Sequence, residues 1–249
     1  MTKEPKFKHY KKSILFFAAS LLFAMTSCNG QIVKSAAQKL DLDITTSTNP
    51  DTTIIASDNF VTITKDIKQF SKLINNIAAD FTYIQNEDAP KIVITGPDNI
   101  IELVKIKEKD SILTLSFPDR LKIKRQEDLK ITINSKEINL ITQNGVGNFL
   151  AENLHSNKMR IINNGVGDLK IHKVATTELV IKNNGVGDTK ITNIKTKDLD
   201  ADNHGVGDIT ITGYADFADV KNHGVGDIKI GDLKAKELKK KNNGVGEIK

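Results

Sequence analysis

Apolar and polar residues alternate along the C-terminal half of the chain, and a Gly-Val-Gly motif interrupts the alternation about every 20 residues. Between the motif at 165–167 and the next copy, the apolar positions are Leu169, Ile171, Val174, Leu179 and Ile181. Alternation with a period of two is typical of strands that bury one face. The glycine pair and the clustered Asn residues disfavour long helices. The pattern therefore predicts two or three short strands in each repeat.

The Gly-Val-Gly motif occurs six times, with spacings of 20, 20, 20, 19 and 20 residues. Glycine accepts positive φ and lets neighbouring backbones approach closely, so the pair indicates a corner. Asn precedes every copy, directly or after one residue, and we expect these amides to form a ladder along the stack. The predicted structural repeat positions are Asn144, Gly145, Gly147, Asn163, Gly165, Gly167, Asn183, Gly185, Gly187, Asn203, Gly205, Gly207, Asn222, Gly224, Gly226, Asn242, Gly244 and Gly246.

Coils of this length cannot bury an apolar face alone, but stacking at about 4.8 Å places matching columns over one another. We therefore predict an all-β fold, a β-solenoid of coils of about 20 residues, over residues 144–249. A β-propeller needs roughly 40 residues per blade, so the repeats would make only about three blades. The predicted buried columns of the two following coils contain Thr189, Ile191, Ile194, Leu199 and Ala201, then Ile209, Ile211, Tyr214, Ala218 and Val220.

Residues 54–143 lack the glycine motif but keep the strand pattern. Strands are predicted near 54–55, 61–63, 91–95, 112–117 and 129–133, with turns at 75–76, 96–98 and 118–119. Terminal coils of a solenoid need a cap. The larger apolar residues of this region suit that role: Phe70, Phe81, Tyr83 and Phe117. We expect an N-terminal β region that caps the stack and contains its first coils.

Three upstream segments and the repeat together resemble a known family. The segments are Phe70-Ser71-Lys72-Leu73, the sequence KIVIT at 91–95, and Leu113-Thr114-Leu115, followed by Gly-Val-Gly-Asp repeats in which Val replaces the usual Ser. The layout is similar to the head GIN domain, also called the putative auto-transporter adhesin domain, of Bacteroidetes lipoproteins, over roughly residues 57–249. The resemblance implies a right-handed β-helix-like fold and an envelope location, and it implies no particular activity.

The first 27 residues have the order of an export signal. Lysines are concentrated in residues 3–12, an apolar stretch follows at 13–25, and Thr26 and Ser27 precede Cys28. The apolar stretch is shorter than the ~20 residues of a membrane-spanning helix, which favours a cleaved signal peptide over a retained anchor helix. We expect residues 28–53, which are mostly polar and small, to form a flexible tether.

Cys28 is the only cysteine of the chain, so a disulfide within one chain is excluded. Met25-Thr26-Ser27-Cys28 resembles a bacterial lipobox, with Met where Leu is usual. The resemblance implies cleavage before Cys28 and acylation of its thiol, which would make the membrane a partner through this anchor. The expected location is the outer membrane, on its periplasmic or its cell-surface face.

The net charge of +5 comes largely from the export segment, which holds five Lys and one Glu, so the rest of the chain carries only +1. The chain has three Arg and no Trp. Without a basic patch or an aromatic stacking platform, nucleic-acid binding is not expected.

Three repeat columns contain residues that could bind a metal ion or another ligand. Asp168, Asp188, Asp208 and Asp227 form an acidic column, which we interpret as a solvated edge neutralised by nearby Lys rather than a calcium ridge. His204 and His223 share a column and, with Asp208 and Asp227, are candidate metal ligands, although polar turn residues are the favoured interpretation. The motif valines either form an outward stripe or fill the corner from inside, and we favour the inside.

The sequence shows no catalytic grouping and no phosphate-binding loop. Acids that recur in repeat columns are typical of a scaffold rather than an active site. We therefore expect a non-enzymatic envelope lipoprotein without a cofactor, whose solenoid surface serves adhesion or binds a glycan or protein ligand. The alternatives are a glycan-acting β-helix enzyme and a structural spacer or assembly component. The charges of Lys239, Lys240 and Lys241 are expected to disfavour pairing of the last strand edge with another chain. We therefore expect a monomer or small oligomer.

Overall fold

The structure is a computed structural model that describes residues 52–124 and 129–249. The predicted signal peptide, Cys28 and nearly all of the predicted tether lie outside the described residues. Within them, no helix is long and apolar enough to cross a membrane.

The upstream region contains nine strands and one short helix. They are β1 (Thr52–Ile55), β2 (Phe60–Asp66), β3 (Lys72–Asn75), β4 (Asp80–Gln85), β5 (Lys91–Pro97), α1 (Asp98–Ile101), β6 (Lys105–Lys109), β7 (Ile112–Ser116), β8 (Leu121–Lys124) and β9 (Lys130–Ser135). Each predicted upstream strand is present. The predicted turn at 96–98 is wrong, because β5 continues through Gly96 and Pro97 and the helix begins directly after it.

The repeat region forms nine further strands. They are β10 (Leu140–Gln143), β11 (Phe149–His155), β12 (Lys158–Asn163), β13 (Leu169–Ala175), β14 (Glu178–Asn183), β15 (Thr189–Asn203), β16 (Ile209–Asn222), β17 (Ile228–Lys229) and β18 (Leu233–Asn242). Equivalent strands of successive coils pair in parallel, as in β11 with β13 and β13 with β15. This arrangement is a β-solenoid, which confirms the predicted fold class.

The core is a set of aligned aliphatic columns. Ile171, Ile191 and Ile211 stack in register on three successive coils, and each is completely buried. Every second residue of a strand points inward, so one repeated alternation fills the whole interior. The scarcity of aromatic residues in the repeat follows from this packing, since the columns are filled by Ile, Leu and Val.

One predicted core position is wrong. Tyr214 pairs with Lys195 and is 36% exposed, whereas Gly213 pairs with Ile194. The coil that contains Gly213 is the one with the 19-residue spacing, and a β-bulge in the preceding coil between Ile191 and Ile194 takes up the difference. Gly213 has φ +122, and a Cβ there would lie 2.3 Å from the Ile194 carbonyl oxygen. Glycine is therefore required where the shorter coil crosses its neighbour.

A coil without the glycine motif lies upstream of the first Gly-Val-Gly. Asn75 pairs with Gln143 and Phe81 pairs with Phe149, so β3 and β4 belong to the same stack as β10 and β11. In this coil the segment 77–79, Ile-Ala-Ala, occupies the place of Gly-Val-Gly. This copy is not recognisable from the Gly-Val-Gly pattern because it lacks both glycines, although Asn75-Asn76 and Asp80 preserve the flanking residues.

The stacking order of the coils differs from their order in the sequence. β3 pairs on its other edge with β7, and β4 pairs with β9. The coil of β3 and β4 therefore lies between the coil of β7 and β9 and the coil of β10 and β11. After β4 the chain forms the coil of β7 and β9 on one side of the coil of β3 and β4, and it then crosses to the other side, where β10 pairs with β3.

Antiparallel strands close the upstream end of the stack. β5 pairs antiparallel with both β9 and β2, and β6 pairs antiparallel with β7. Ile100 and Ile101 of the short helix are buried, as are Phe70, Phe81 and Tyr83, while Phe117 is partly buried against the core. The predicted upstream β-strand cap is confirmed, but Phe81 and Tyr83 lie on β4 inside the stack, between β9 and β11, rather than in the cap. At the other end, Lys240 pairs with Val220, which places a charged residue in an apolar column as expected.

Candidate functional site

The two glycines of each motif are required for different reasons. At the first glycine there is no room for a side chain, because a Cβ on Gly185 would lie 2.2 Å from the Gly165 carbonyl oxygen. The second glycine needs its backbone freedom, since Gly187 has φ +132. The backbone of each corner therefore packs directly against the backbone of the corner in the preceding coil.

A ladder of buried amides runs along the inside of the glycine corner. Asn163 donates to Asn183 at 3.2 Å, Asn183 to Asn203 at 3.1 Å, and Asn203 to Asn222 at 3.2 Å. Their side-chain oxygens also accept the backbone N–H of the motif glycine two residues on, as in Gly205 to Asn203 at 3.2 Å. The amides satisfy one another and the corner backbone, so the predicted ladder has a structural role.

A second amide ladder lies outside the first, on the solvent side. Asn144 donates to Asn76 at 2.7 Å, Asn164 to Asn144 at 2.7 Å, and Asn184 to Asn164 at 2.8 Å. Asn144 therefore stands in the outer column, and Gln143 takes the inner position, where it accepts from Asn75 at 2.8 Å. His204 and His223 continue the outer column after Asn184.

The acidic column after the motif forms a third ladder, between side chain and backbone. The Asp188 side chain accepts the backbone N–H of Asp208 at 2.8 Å, and Asp208 accepts that of Asp227 at 2.8 Å. Lys229 bonds Asp208 at 2.6 Å, and this hydrogen bond is the main reason that the pKa of Asp208 lies below its ordinary value. The arrangement agrees with a neutralised edge rather than a calcium ridge.

The motif valines face outward. Val146, Val206 and Val225 are 46%, 37% and 39% exposed, and successive valines form parallel β-bridges. The interior placement favoured from the sequence is therefore wrong. The alternation of buried and exposed residues continues through the first glycine, which is buried, so the side chain of the following valine points to solvent.

The two column histidines meet a carboxylate other than those predicted. The imidazole rings of His204 and His223 stack with centroids 4.8 Å apart, and His204 Nε2 lies 3.0 Å from Asp202 Oδ2. Within the described residues, these three are the group close enough to share a metal ion. Asp208 and Asp227 instead bond to Lys229 and Lys249.

An open groove of about 900 Å³ lies on another face, beside the first coils. Its floor contains buried Ile138 and half-buried Leu140 and Ile162. Gln85 fixes the position of one wall, because it donates to the carbonyl oxygens of Lys136 at 3.0 Å and His155 at 2.9 Å. The groove forms where the coil of β3 and β4 meets the first glycine repeats, so its lining does not recur along the solenoid.

The groove is basic. It is lined by Lys72, Lys136, Lys158 and Arg160 and by two acids, Glu87 and Glu137. Lys158 forms an ion pair with Glu178 on the neighbouring strand at 2.8 Å, so Lys72 and Arg160 are the cations that give the groove its charge. Glu87 bonds Lys136 at 2.7 Å, and this contact raises the pKa of the Lys136 ammonium group. Lys72 and Arg160 flank Leu140 on adjacent strands, which places their backbones roughly 10 Å apart. Sequence reasoning missed these residues because no repeat or spacing connects them.

Comparison with known proteins is consistent with this architecture. The family described as putative auto-transporter adhesin, head GIN domain, matches residues 69–249. The chain belongs to this family. The match includes the coil of β3 and β4 as well as all six motifs, and it confirms the resemblance seen in the sequence. No curated protein matches the chain.

Several solved structures share the fold of this family member. A putative adhesin from Bacteroides fragilis is 30% identical, with a TM-score of 0.68 over 78% of this chain and 98% of that chain. A putative adhesin from Parabacteroides distasonis is 22% identical, with a TM-score of 0.72 over 78% of this chain and 83% of that chain. A putative lipid binding protein from the same species is 19% identical, with a TM-score of 0.66 over 80% and 100%.

Proposed function

We propose that this family member is an exported lipoprotein of the cell envelope, anchored through Cys28, which binds acidic glycans in the groove beside its first coils. The observation that carries the proposal is the concentration of non-repeating basic side chains over an apolar floor. Basic side chains pair with carboxylate and sulfate groups, and exposed aliphatic side chains suit the apolar faces of sugar rings. Parallel pairing of β3, β10 and β12 holds Lys72 and Arg160 in a fixed register, which lowers the entropic cost of binding.

A glycan-acting enzyme is the alternative that the groove itself raises. Glycoside hydrolysis ordinarily needs a pair of carboxyl groups, one of them with a raised pKa so that it can act as an acid. Glu87 of the groove is in an ion pair with Lys136. The carboxyl pKa shifts in the described residues run downward, at Asp98, Asp208, Asp216 and Asp227. These observations favour binding without turnover.

A glycan array tests the binding proposal. Purified full-length protein is applied to carboxylated, sulfated and neutral glycans, alongside Lys72→Glu/Arg160→Glu. We expect the wild type to bind acidic glycans and the variant to lose at least about 10-fold in affinity, equivalent to about 1.4 kcal/mol. The matched control is Lys170→Glu/Lys190→Glu, which reverses two exposed lysines on the paired strands β13 and β15.

Three outcomes contradict the proposal of binding without turnover in the groove. Equal losses in both double variants would indicate nonspecific attraction to basic protein. Absence of glycan binding together with clear self-association would favour an assembly component instead. Product formation from any bound glycan would favour the enzyme.

The anchor is tested separately with a radiolabelled fatty acid and protease treatment of intact cells. We expect wild-type protein to incorporate the lipid and Cys28→Ala to lose it. Protease sensitivity on intact cells would place the solenoid on the surface, whereas protection would place it in the periplasm. Equal labelling of Cys28→Ala would contradict acylation at this residue.

A further inference from the structure

Two consecutive rungs of the outer amide ladder are histidines. The same column holds Asn76, Asn144, Asn164 and Asn184 on earlier coils and Asn243 on the last. An Asn at each position would extend the chain of amide hydrogen bonds. His204 and His223 replace it with parallel rings whose planes differ by 6° and whose centroids are 4.8 Å apart. The replacement brings two metal-binding side chains together on neighbouring coils.

Asp202 completes the group with a carboxylate that is only partly satisfied. Its Oδ2 lies 3.0 Å from His204 Nε2, while its Oδ1 is buried and has no hydrogen-bond partner. Two lysines pair in register with Asp202, Lys182 on β14 and Lys221 on β16. Lys221 bonds Asp200 at 3.3 Å and Asp219 at 2.8 Å instead of Asp202. A buried carboxylate oxygen without a donor is costly, and a bound cation would remove that cost.

We propose that Asp202, His204 and His223 form a binding site for a divalent transition metal of the zinc type. Their ligand atoms all lie within 4.8 Å of one another. Two ligands of a tetrahedral Zn²⁺ ion are about 3.3 Å apart, given bonds of about 2.0–2.1 Å. The Asp202–His204 separation is already close to this value, and rotation of the two exposed rings closes the remaining distance.

The surroundings of His223 fit the role of a ligand. Its Nδ1 lies 3.5 Å from the side-chain nitrogen of Asn243 on the next coil, and a half-turn of the Asn243 amide exchanges this nitrogen for the oxygen. With the amide oxygen turned toward it, Nδ1–H donates to Asn243 and Nε2 is free to bind metal, the usual arrangement around a ligating histidine. A fourth position remains for water or for a donor from a ligand. Imidazole nitrogens select zinc, copper or nickel over calcium and magnesium.

The occurrence of Asn in the same column supplies the test variant. His204→Asn/His223→Asn restores the residue type of the neighbouring rungs, so we expect it to fold and melt like the metal-free wild type. The matched control is His155→Asn/His172→Asn, which changes two exposed histidines outside the group. All proteins are full length, carry Cys28→Ser to remove the thiol, lack a polyhistidine tag, and are purified in detergent and stripped with a chelator.

Zinc chloride is titrated in competition with a chromophoric chelator, with calcium chloride in parallel. We expect one equivalent of Zn²⁺ to bind the wild type and the control, and to raise their melting temperatures. The affinity falls at least about 10-fold in His204→Asn/His223→Asn and in Asp202→Asn, and calcium does not compete. Absence of stoichiometric zinc binding, or binding that both site variants retain, would overturn the proposal.

Discussion

The inner amide ladder makes a quantitative prediction about stability. Asn203 is completely buried. Its side-chain amide forms four hydrogen bonds of 3.1–3.3 Å. The oxygen accepts from the Gly205 backbone N–H and the Asn183 side chain, and the nitrogen donates to the Asn222 side chain and the Gly207 carbonyl oxygen. Asn203→Ala leaves these groups without partners in a site that is closed to solvent. An unpaired buried group costs about 1–3 kcal/mol, so with partial relaxation we expect a loss of about 3–5 kcal/mol.

The outer ladder provides the matched control for this variant. Asn164 also forms two amide hydrogen bonds, of 2.7 and 2.8 Å, but it is exposed, so water replaces the bonds that Asn164→Ala removes. We expect a change within about 0.5 kcal/mol. Urea unfolding followed by circular dichroism measures both variants. Similar losses in the two would refute the reasoning, since burial is the main difference between the ladders.

Three further predictions follow from single contacts. Gly185→Ala should lose about 3 kcal/mol or more, because its Cβ meets the Gly165 carbonyl oxygen, whereas Gly231→Ala, with no atom within 4 Å of its Cβ, should be nearly neutral by thermal melting. Burial raises the pKa of Tyr83 to about 12, so the free energy of unfolding should fall as pH rises from 10 toward 12. The fall should be less steep in Tyr83→Phe, and parallel curves for the two proteins would contradict this. The lowered pKa of Asp208 means that its stabilisation by Lys229 is present at neutral pH and lost on acidification. Because both side chains are partly exposed, Lys229→Met should lower the free energy of unfolding only slightly at pH 7 and not at all in acid. A difference from the wild type that stays constant across pH in urea titrations would contradict this.

The repeat architecture could be predicted from the sequence because its physical causes recur in every coil. Period-two alternation specifies the buried columns, and the glycine pair specifies the corner. The coil of β3 and β4 could not be predicted from the repeat because its corner, residues 77–79, lacks both glycines, and its place in the stack is set by pairing with distant strands. Gly213, rather than Tyr214, occupies the position opposite Ile194, because this coil is one residue shorter than the others. Alignment by a constant spacing of 20 residues therefore places Tyr214 in that column incorrectly.

The candidate sites were harder to predict than the fold. His204 and His223 were recognisable as column neighbours, but their carboxylate partner is Asp202, which precedes the motif, rather than Asp208 or Asp227, which follow it. The second glycine turns the chain between the histidines and the later acids. The groove combines Lys72 with Arg160 across β10. Residues so far apart in sequence are brought together only by the coil that stacks out of chain order.

We propose that the anchored solenoid binds acidic glycans through the groove beside its first coils. Flow cytometry of cells that express the protein, incubated with a fluorescent carboxylated glycan, tests the groove and the anchor together. The account predicts strong labelling for the wild type and for Lys170→Glu/Lys190→Glu, and weak labelling for Lys72→Glu/Arg160→Glu and for Cys28→Ala. If the groove variant labels cells as strongly as the wild type does, the claim is contradicted.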